Sequence, residues 1–318
     1  MRSSILRHTA DIFDPDLLIV DKEPLGLRGE VRDTLDLLQR RGTALILGLR
    51  DVMDDPEALE SEWERKHAVP ALAEYYDEIW VYGLPQICDP LAGLPVPRSV
   101  RQRMTYTGYL RRSAAEPQVT PEIQGIIESE FLLVTPGGGG DGEGLIHLVL
   151  SAYEYDRALP LPALLVFGPF MLPEQRAVFA SRAARLENVH AITFNARLES
   201  LMARAAGVVA MGGYNTFCEI LSFDKRALIV PRTAPRLEQY IRTRRAAELG
   251  LLTMLSEQEG RDPRVMAAAL RHLTGQAPPS SIVIPGLLDG MPSVNRLTRK
   301  WLDEGRAGCF AARERLEA

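Results

Sequence analysis

Several residue types and patterns are scarce in this chain, and each scarcity excludes something. There are three cysteines, Cys88, Cys218 and Cys309, odd in number and far apart. They supply neither a disulfide framework nor a metal-ligand spacing, so a reducing, cytoplasmic setting is expected. The five histidines, His8, His67, His147, His190 and His272, show no paired metal spacing either. No apolar run reaches the ~18 residues of a membrane-spanning helix. The opening residues Met1 to His8 lack the apolar core of a signal peptide. A basic excess is absent: 37 Lys and Arg stand against 42 Asp and Glu, a net charge of -5. That argues against a general nucleic-acid binder. The sequence G-x-x-x-x-G-K-[ST] does not occur, which disfavours a P-loop nucleotidase. Neither an internal repeat nor a low-complexity segment is present.

What remains is an ordinary globular composition, 46% hydrophobic and 25% charged over 318 residues. That length suggests about two domains of ~150 residues. Short apolar runs alternate with helical patterns in both halves. In the first half the runs are Leu17 to Val20, Ala44 to Leu47, Glu78 to Tyr82 and Met104 to Thr107. In the second they are Phe131 to Thr135, Ala163 to Phe167, Val189 to Phe194, Gly207 to Ala210 and Ala227 to Val230. Strands alternating with helices imply parallel sheets covered on both faces. The expected division is a first domain at 1–115, a linker at 116–128, a second domain at 129–290, and a helix and tail at 291–318. Pro117, Pro121 and polar neighbours suggest the linker. Val294, Leu297 and Trp301 give the tail its helical spacing. The opening reads as a polar segment with Asp11, Asp14 and Asp16 before the first strand. No strand-glycine-loop unit precedes that strand, whereas a doubly wound domain usually carries its ligand loop on its first strand. The first domain is therefore expected to be short of its first strands and helices, which should lie upstream of Met1.

Two strand-glycine-helix junctions carry the chemical signal. The first is Gly137 to Gly144, in which Gly137, Gly139 and Gly142 satisfy G-x-G-x-x-G. Such a turn permits close approach of a phosphate to helix N-terminal donors. With six glycines in eight residues a chance match is easy, and Asp141 and Glu143 bring negative charge where a pyrophosphate would lie. A dehydrogenase rests on this match alone. The second junction is Met211-Gly212-Gly213-Tyr214-Asn215-Thr216-Phe217-Cys218-Glu219. Bare backbone N–H groups at a helix start accept an anion, and a glutamate one turn further on can reach ribose hydroxyls. The competing reading is a capping box, Thr216 capping the helix and Glu219 reaching back.

A wider pattern resembles a known family. The glycines at 137 to 140, Phe194-Asn195, the helix from Leu198 to Ala205, the turn Gly213 to Thr216, Glu219, the strand end Val230-Pro231 and the pair Glu238-Gln239 occur in order. Over residues 129 to 250 they resemble the C-terminal domain of the GT-B glycosyltransferases that include the peptidoglycan N-acetylglucosaminyltransferase (MurG-like, glycosyltransferase family 28). Asp16 to Val20 and Tyr106 to Tyr109 resemble segments of bacterial relatives of that enzyme. The resemblance implies an α/β, GT-B-like fold: two Rossmann-like doubly wound domains with a cleft between them. It implies transfer of a sugar from a nucleotide-diphosphate sugar to a small-molecule or lipid-linked acceptor hydroxyl, with no metal. Gly213 and Thr216 would place the turn against the diphosphate, with Gly212, Tyr214 and Asn215 beside them in the donor site, although Tyr214 and Asn215 stand where the peptidoglycan enzyme usually carries smaller residues. Glu219 would hold the ribose, and Glu238 and Gln239 would face the sugar. Gly137, Gly138 and Gly139 would line the cleft. The family's first loop, with its histidine base, has no counterpart here, so no catalytic base is assigned. A nucleotide-sugar epimerase or hydrolase, or a non-catalytic nucleotide-sugar binder, would use the same scaffold.

Other features have plainer readings. Asp14-Pro15-Asp16 matches the D-x-D of metal-dependent transferases, but it precedes its strand and reads as a turn. Asp51, Asp54 and Asp55 could offer oxygens to Mg²⁺, and such a cluster is more often a solvated loop or a cap. His147 follows the first glycine loop closely enough to approach a ligand, against the alternative of helix packing. Arg98, Arg101, Arg103, Arg111 and Arg112, and Arg242, Arg244 and Arg245, could bind a diphosphate or peripheral lipid headgroups. Solvated faces are their default.

Overall fold

The computed structural model describes residues 1–116 and 121–316, with side chains at 1–116 and 123–303. The chain begins with α1 (Arg2–Phe13), β1 (Leu17–Asp21), α2 (Arg32–Arg41), β2 (Ala44–Arg50), α3 (Pro56–Arg65), α4 (Ala68–Tyr75), β3 (Glu78–Tyr82), α5 (Arg98–Arg101) and β4 (Met104–Tyr106). A second series follows: α6 (Pro121–Ile127), β5 (Leu132–Thr135), α7 (Glu143–Tyr155), β6 (Ala163–Val166), α8 (Pro173–Ala183), β7 (Val189–Ile192) and α9 (Leu198–Arg204). It continues with β8 (Gly207–Ala210), α10 (Tyr214–Ser222), β9 (Ala227–Ile229), α11 (Glu238–Glu248), β10 (Thr253–Met254), α12 (Glu257–Gly260) and α13 (Pro263–His272). The last helix is α14 (Gly290–Leu316). Two compact units result, Met1–Leu110 with Gly286–Ala318, and Arg111–Pro285.

The first unit holds a parallel sheet in the order β1-β2-β3-β4. One face buries Leu45, Leu47 and Leu49 of β2 with Leu35, Leu38, Trp63 and Leu72 from the helices. On the other, Ile46 and Trp80 pack with Leu297, and with Val294 and Trp301 beside them. The Trp301 indole N–H donates to Glu78 Oε2 at 2.7 Å, fixing α14 to β3. The opening segment, read in the sequence as a polar stretch before the first strand, is the helix α1. None of its residues is buried, which is why its apolar period was faint in the sequence. Asp14 ends that helix in a left-handed conformation (φ 46°), and Arg41 pairs with both Asp11 and Asp14. The D-x-D segment is thus a helix stop.

The second unit is a six-stranded parallel sheet, ordered β10-β9-β8-β5-β6-β7. Its strands are almost wholly apolar because both faces are covered. Val134, Leu165 and Val209 pack with α7 and α13, while Leu133, Leu164 and Val208 pack with α6 and α9. The expected linker is therefore partly core. Residues 121–127 are helical, and Ile123, Ile126 and Ile127 are buried. Pro121 starts that helix, where a missing N–H costs nothing. The chain adds strands from β5 outward to β7, then returns to the other side of β5 to add β8, β9 and β10. Loops leaving β5 and β8 thus diverge, making the crevice at which open α/β sheets hold ligands.

Candidate functional site

The two loops at this divergence point are the two glycine junctions seen in the sequence. β5 and β8 are paired from Leu132↔Gly207 to Thr135↔Ala210, so their loops leave side by side. The first loop is a locked turn. A Cβ on Gly139 (φ +88°) would lie 2.3 Å from the Phe167 carbonyl, and one on Gly142 would lie 2.3 Å from Pro136 Cβ. Phe170 N–H donates to the Gly138 carbonyl at 2.9 Å, binding the loop to the turn after β6. Gly137 also has positive φ, +82°, with open space around its Cβ direction.

The second loop opens α10. Gly213 is the N-cap and no side chain caps the helix, so the first-turn N–H groups of Tyr214, Asn215 and Thr216 are left without a side-chain cap. This overturns the capping-box alternative. Thr216 is the third residue of the helix, out of capping position. Gly212 holds φ +81° against α11, and a Cβ there would meet Thr243 Oγ1 at 2.6 Å. Its carbonyl accepts from Arg242 Nη1 at 3.1 Å, and the same guanidinium lies 5.5 Å from the Tyr214 ring centroid. Tyr214 is buried beneath it, so what it can offer a ligand is its backbone N–H. Asn215 Oδ1 accepts from Arg112 Nη2 at 3.1 Å.

Glu219 sits one turn into α10 and is half-buried. Burial, opposed by Arg112 and reinforced by Glu199, pushes its carboxyl up to about 7. It is therefore poised to accept hydrogen bonds as a carboxylate, or to take up a proton, near neutrality.

Glu238 and Gln239 begin α11. Gln239 is 7% exposed, and its Oε1 accepts the Arg232 N–H at 3.3 Å. Arg232 places Nη2 2.8 Å from Glu238 Oε1 and Nε 2.9 Å from Asp141 Oδ2. One guanidinium thus joins the Gly137–Gly140 loop to α11, and the three expected segments meet at one edge of the sheet. Sequence reasoning missed Arg232. Its signal was its place directly after the strand end Val230-Pro231.

The remaining candidates lie elsewhere. His147 is exposed and shares a hydrogen bond with Arg182 at 3.0 Å, so it does not pack in the core. Asp51 is fully buried and accepts from Tyr109 Oη at 2.7 Å, while Asp55 caps α3. Among the described residues no cluster suited to a metal ion is present. Arg101 pairs with Asp89, Arg103 donates to the Tyr76 carbonyl, and Arg244 and Arg245 pair with Glu248. Among the described residues no helix is long and apolar enough to cross a membrane.

Comparison with known proteins bears on the family and the fold. Residues 132–278 match the family model of the glycosyltransferase family 28 C-terminal domain. No curated protein matches the chain by sequence. Among solved structures, the calicheamicin glycosyltransferase CalG4 superposes with a TM-score of 0.60 at 16% identity, covering 95% of this chain and 78% of that one. MurG of Acinetobacter baumannii gives 0.54 at 13% identity, covering 86% and 71%. MnaA of S. aureus, in a co-structure with UDP, gives 0.61 at 12% identity, covering 93% and 78%. Residues 132–278 thus match a glycosyltransferase family 28 C-terminal domain, in a chain whose two Rossmann-like parallel-sheet units have the GT-B glycosyltransferase fold.

Proposed function

We propose that the second unit binds a nucleotide-diphosphate sugar and that the protein transfers its sugar to an acceptor hydroxyl. The observation that carries this reading is the pairing of two glycine turns at the divergence point of one sheet, with Glu219 one turn into the helix that leaves β8. The solved relatives include MnaA with UDP and the glycosyltransferase VinC with dTDP, which supports a nucleoside diphosphate as the common ligand.

In this reading the α10 N-terminus receives the diphosphate. Ionised Glu219 accepts hydrogen bonds from the ribose hydroxyls. Glu238 and Gln239 face the sugar. The acceptor oxygen attacks the anomeric carbon as the bond from that carbon to the phosphate oxygen breaks. The hydroxyl proton passes to a general base, and the nucleoside diphosphate leaves. Charge grows on the leaving oxygens, so the helix N–H groups stabilise the transition state more than the ground state. Chelators should then leave the rate unchanged.

The test supplies UDP-, dTDP-, GDP- and CDP-sugars with and without small-molecule and lipid-linked acceptor alcohols. Nucleoside diphosphate released only with an acceptor is the expected result. Release without any acceptor would replace transfer with hydrolysis. Binding of the nucleotide with no release under any condition would leave a binding protein.

A further inference from the structure

We propose that Arg232 is a phosphate-binding residue of this site and that Asp141 is its resident counter-ion, displaced when a nucleoside diphosphate binds. The proposal rests on the donor-site reading above. It begins with sheet order. Arg232 follows β9, Asp141 follows β5, and β8 lies between those two strands. The ion pair joining them therefore spans the carboxyl end of β8, where the Gly212-Gly213 turn and the α10 N-terminus lie.

The pairing is incomplete. Arg232 Nε is 2.9 Å from Asp141 Oδ2, yet its N–H is buried and makes no hydrogen bond. Glu238 Oε2 is likewise buried without a partner. A buried donor left unaligned is costly, and a better-placed acceptor would displace a poor one. The two carboxylates differ in exposure. Glu238 is 19% exposed in the first turn of α11, whereas Asp141 is 50% exposed between Gly140 and Gly142. Asp141 is thus the partner that can leave for solvent.

Charge points the same way. Two carboxylates on one guanidinium give a surplus negative charge, which opposes an incoming anion. Removing Asp141 cancels that surplus and frees the Nε side of the guanidinium. A phosphate can then take the guanidinium through paired N–H donors, while the other phosphate stays on the helix N-terminus. A monophosphate meets only one of the two positions. The pair would therefore make the site select for diphosphates.

The test is calorimetric titration of UDP, dTDP, UMP and dTMP into the full chain. Asp141→Asn should tighten the diphosphates roughly three- to tenfold and leave the monophosphates unchanged. Arg232→Met should weaken the diphosphates by about tenfold or more, and in that background Asp141→Asn should have no effect. Arg232→Lys repeats the cycle should the Met variant melt early. If the Asp141→Asn gain persists without Arg232, or never occurs, the inference fails. The donor-site reading would still stand if wild-type binding is lost in Glu219→Ala. If the wild type binds neither UDP, dTDP, GDP nor CDP, that reading falls and takes the inference with it.

Discussion

Arg242 is fully buried, and its guanidinium donates to the carbonyl of Gly212 at 3.1 Å. A charged side chain taken wholly out of water is expensive unless its donors are used. Here they are spent on the backbone of the β8–α10 turn and on the face of Tyr214. The turn is therefore held from below by α11, and its shape does not depend on a ligand. Arg242→Ala should cost roughly 2–4 kcal/mol of unfolding free energy, measured by urea denaturation, from lost packing and an orphaned carbonyl. Arg242→Lys should recover less than half of that, because an ammonium cannot offer a planar face and forked donors together. Full recovery with Lys would mean that charge alone matters there.

Glu219 gives a stability prediction with a definite sign. Its carboxyl is raised from 4.5 to about 7, chiefly by burial. Below pH ~4.5 it is protonated folded and unfolded, and its stabilising contribution is whole. As pH rises toward 7 the unfolded chain loses the proton first, so stability falls, levelling off above that pH. Glu219→Gln carries no charge at any pH. It should gain on the wild type across that window by roughly 1–3 kcal/mol, read from denaturation at pH 4.5 and 8. An advantage for Gln that is flat with pH would remove burial of the charge as its cause.

The same carboxyl should couple nucleotide binding to a proton. Hydrogen bonds from ribose hydroxyls favour the carboxylate and pull its pKa back down, with Arg112 assisting and Glu199 opposing. Near pH 7 the free site is about half protonated, so UDP binding should release roughly half a proton. Titrations in buffers of differing ionisation enthalpy measure that release directly. It should vanish in Glu219→Gln. Release that survives there belongs to another group.

Much of this was legible in the sequence because the parallel strands are buried on both faces and appear as unbroken apolar runs. β2, with six of seven residues buried, is such a case. α1 was not legible, since no residue of it is buried and its apolar positions keep no clear period. β10 escaped notice because two residues, Thr253 and Met254, make a poor signal. The glycine turns were found, but only the family resemblance related them to one another. Sheet order depends on long-range pairing, and only that order brings the loops after β5 and β8 together. Arg232 escaped for the same reason, since its partner Asp141 is 91 residues away in the chain (232 − 141).

The glycine run at 137 to 142 supplies a final prediction, because its members are needed to different degrees. Gly139 combines φ +88° with a Cβ direction blocked at 2.3 Å by the Phe167 carbonyl. An Ala there must both adopt a left-handed backbone and displace the turn after β6. Gly138 has ordinary φ, and its Cβ would touch the ring of Phe170 at 3.2 Å, an exposed side chain free to rotate. Gly137 has φ +82° with open space around it, so an Ala there carries backbone strain alone, roughly 1 kcal/mol. Gly139→Ala should thus cost about 2–4 kcal/mol, Gly137→Ala an intermediate amount, and Gly138→Ala close to nothing. Thermal denaturation of the three variants gives the order. A run whose glycines served only a bound phosphate would show little loss of stability in any of them without ligand. Equal, small shifts across all three would therefore argue against the locked turn and for a loop shaped by its ligand.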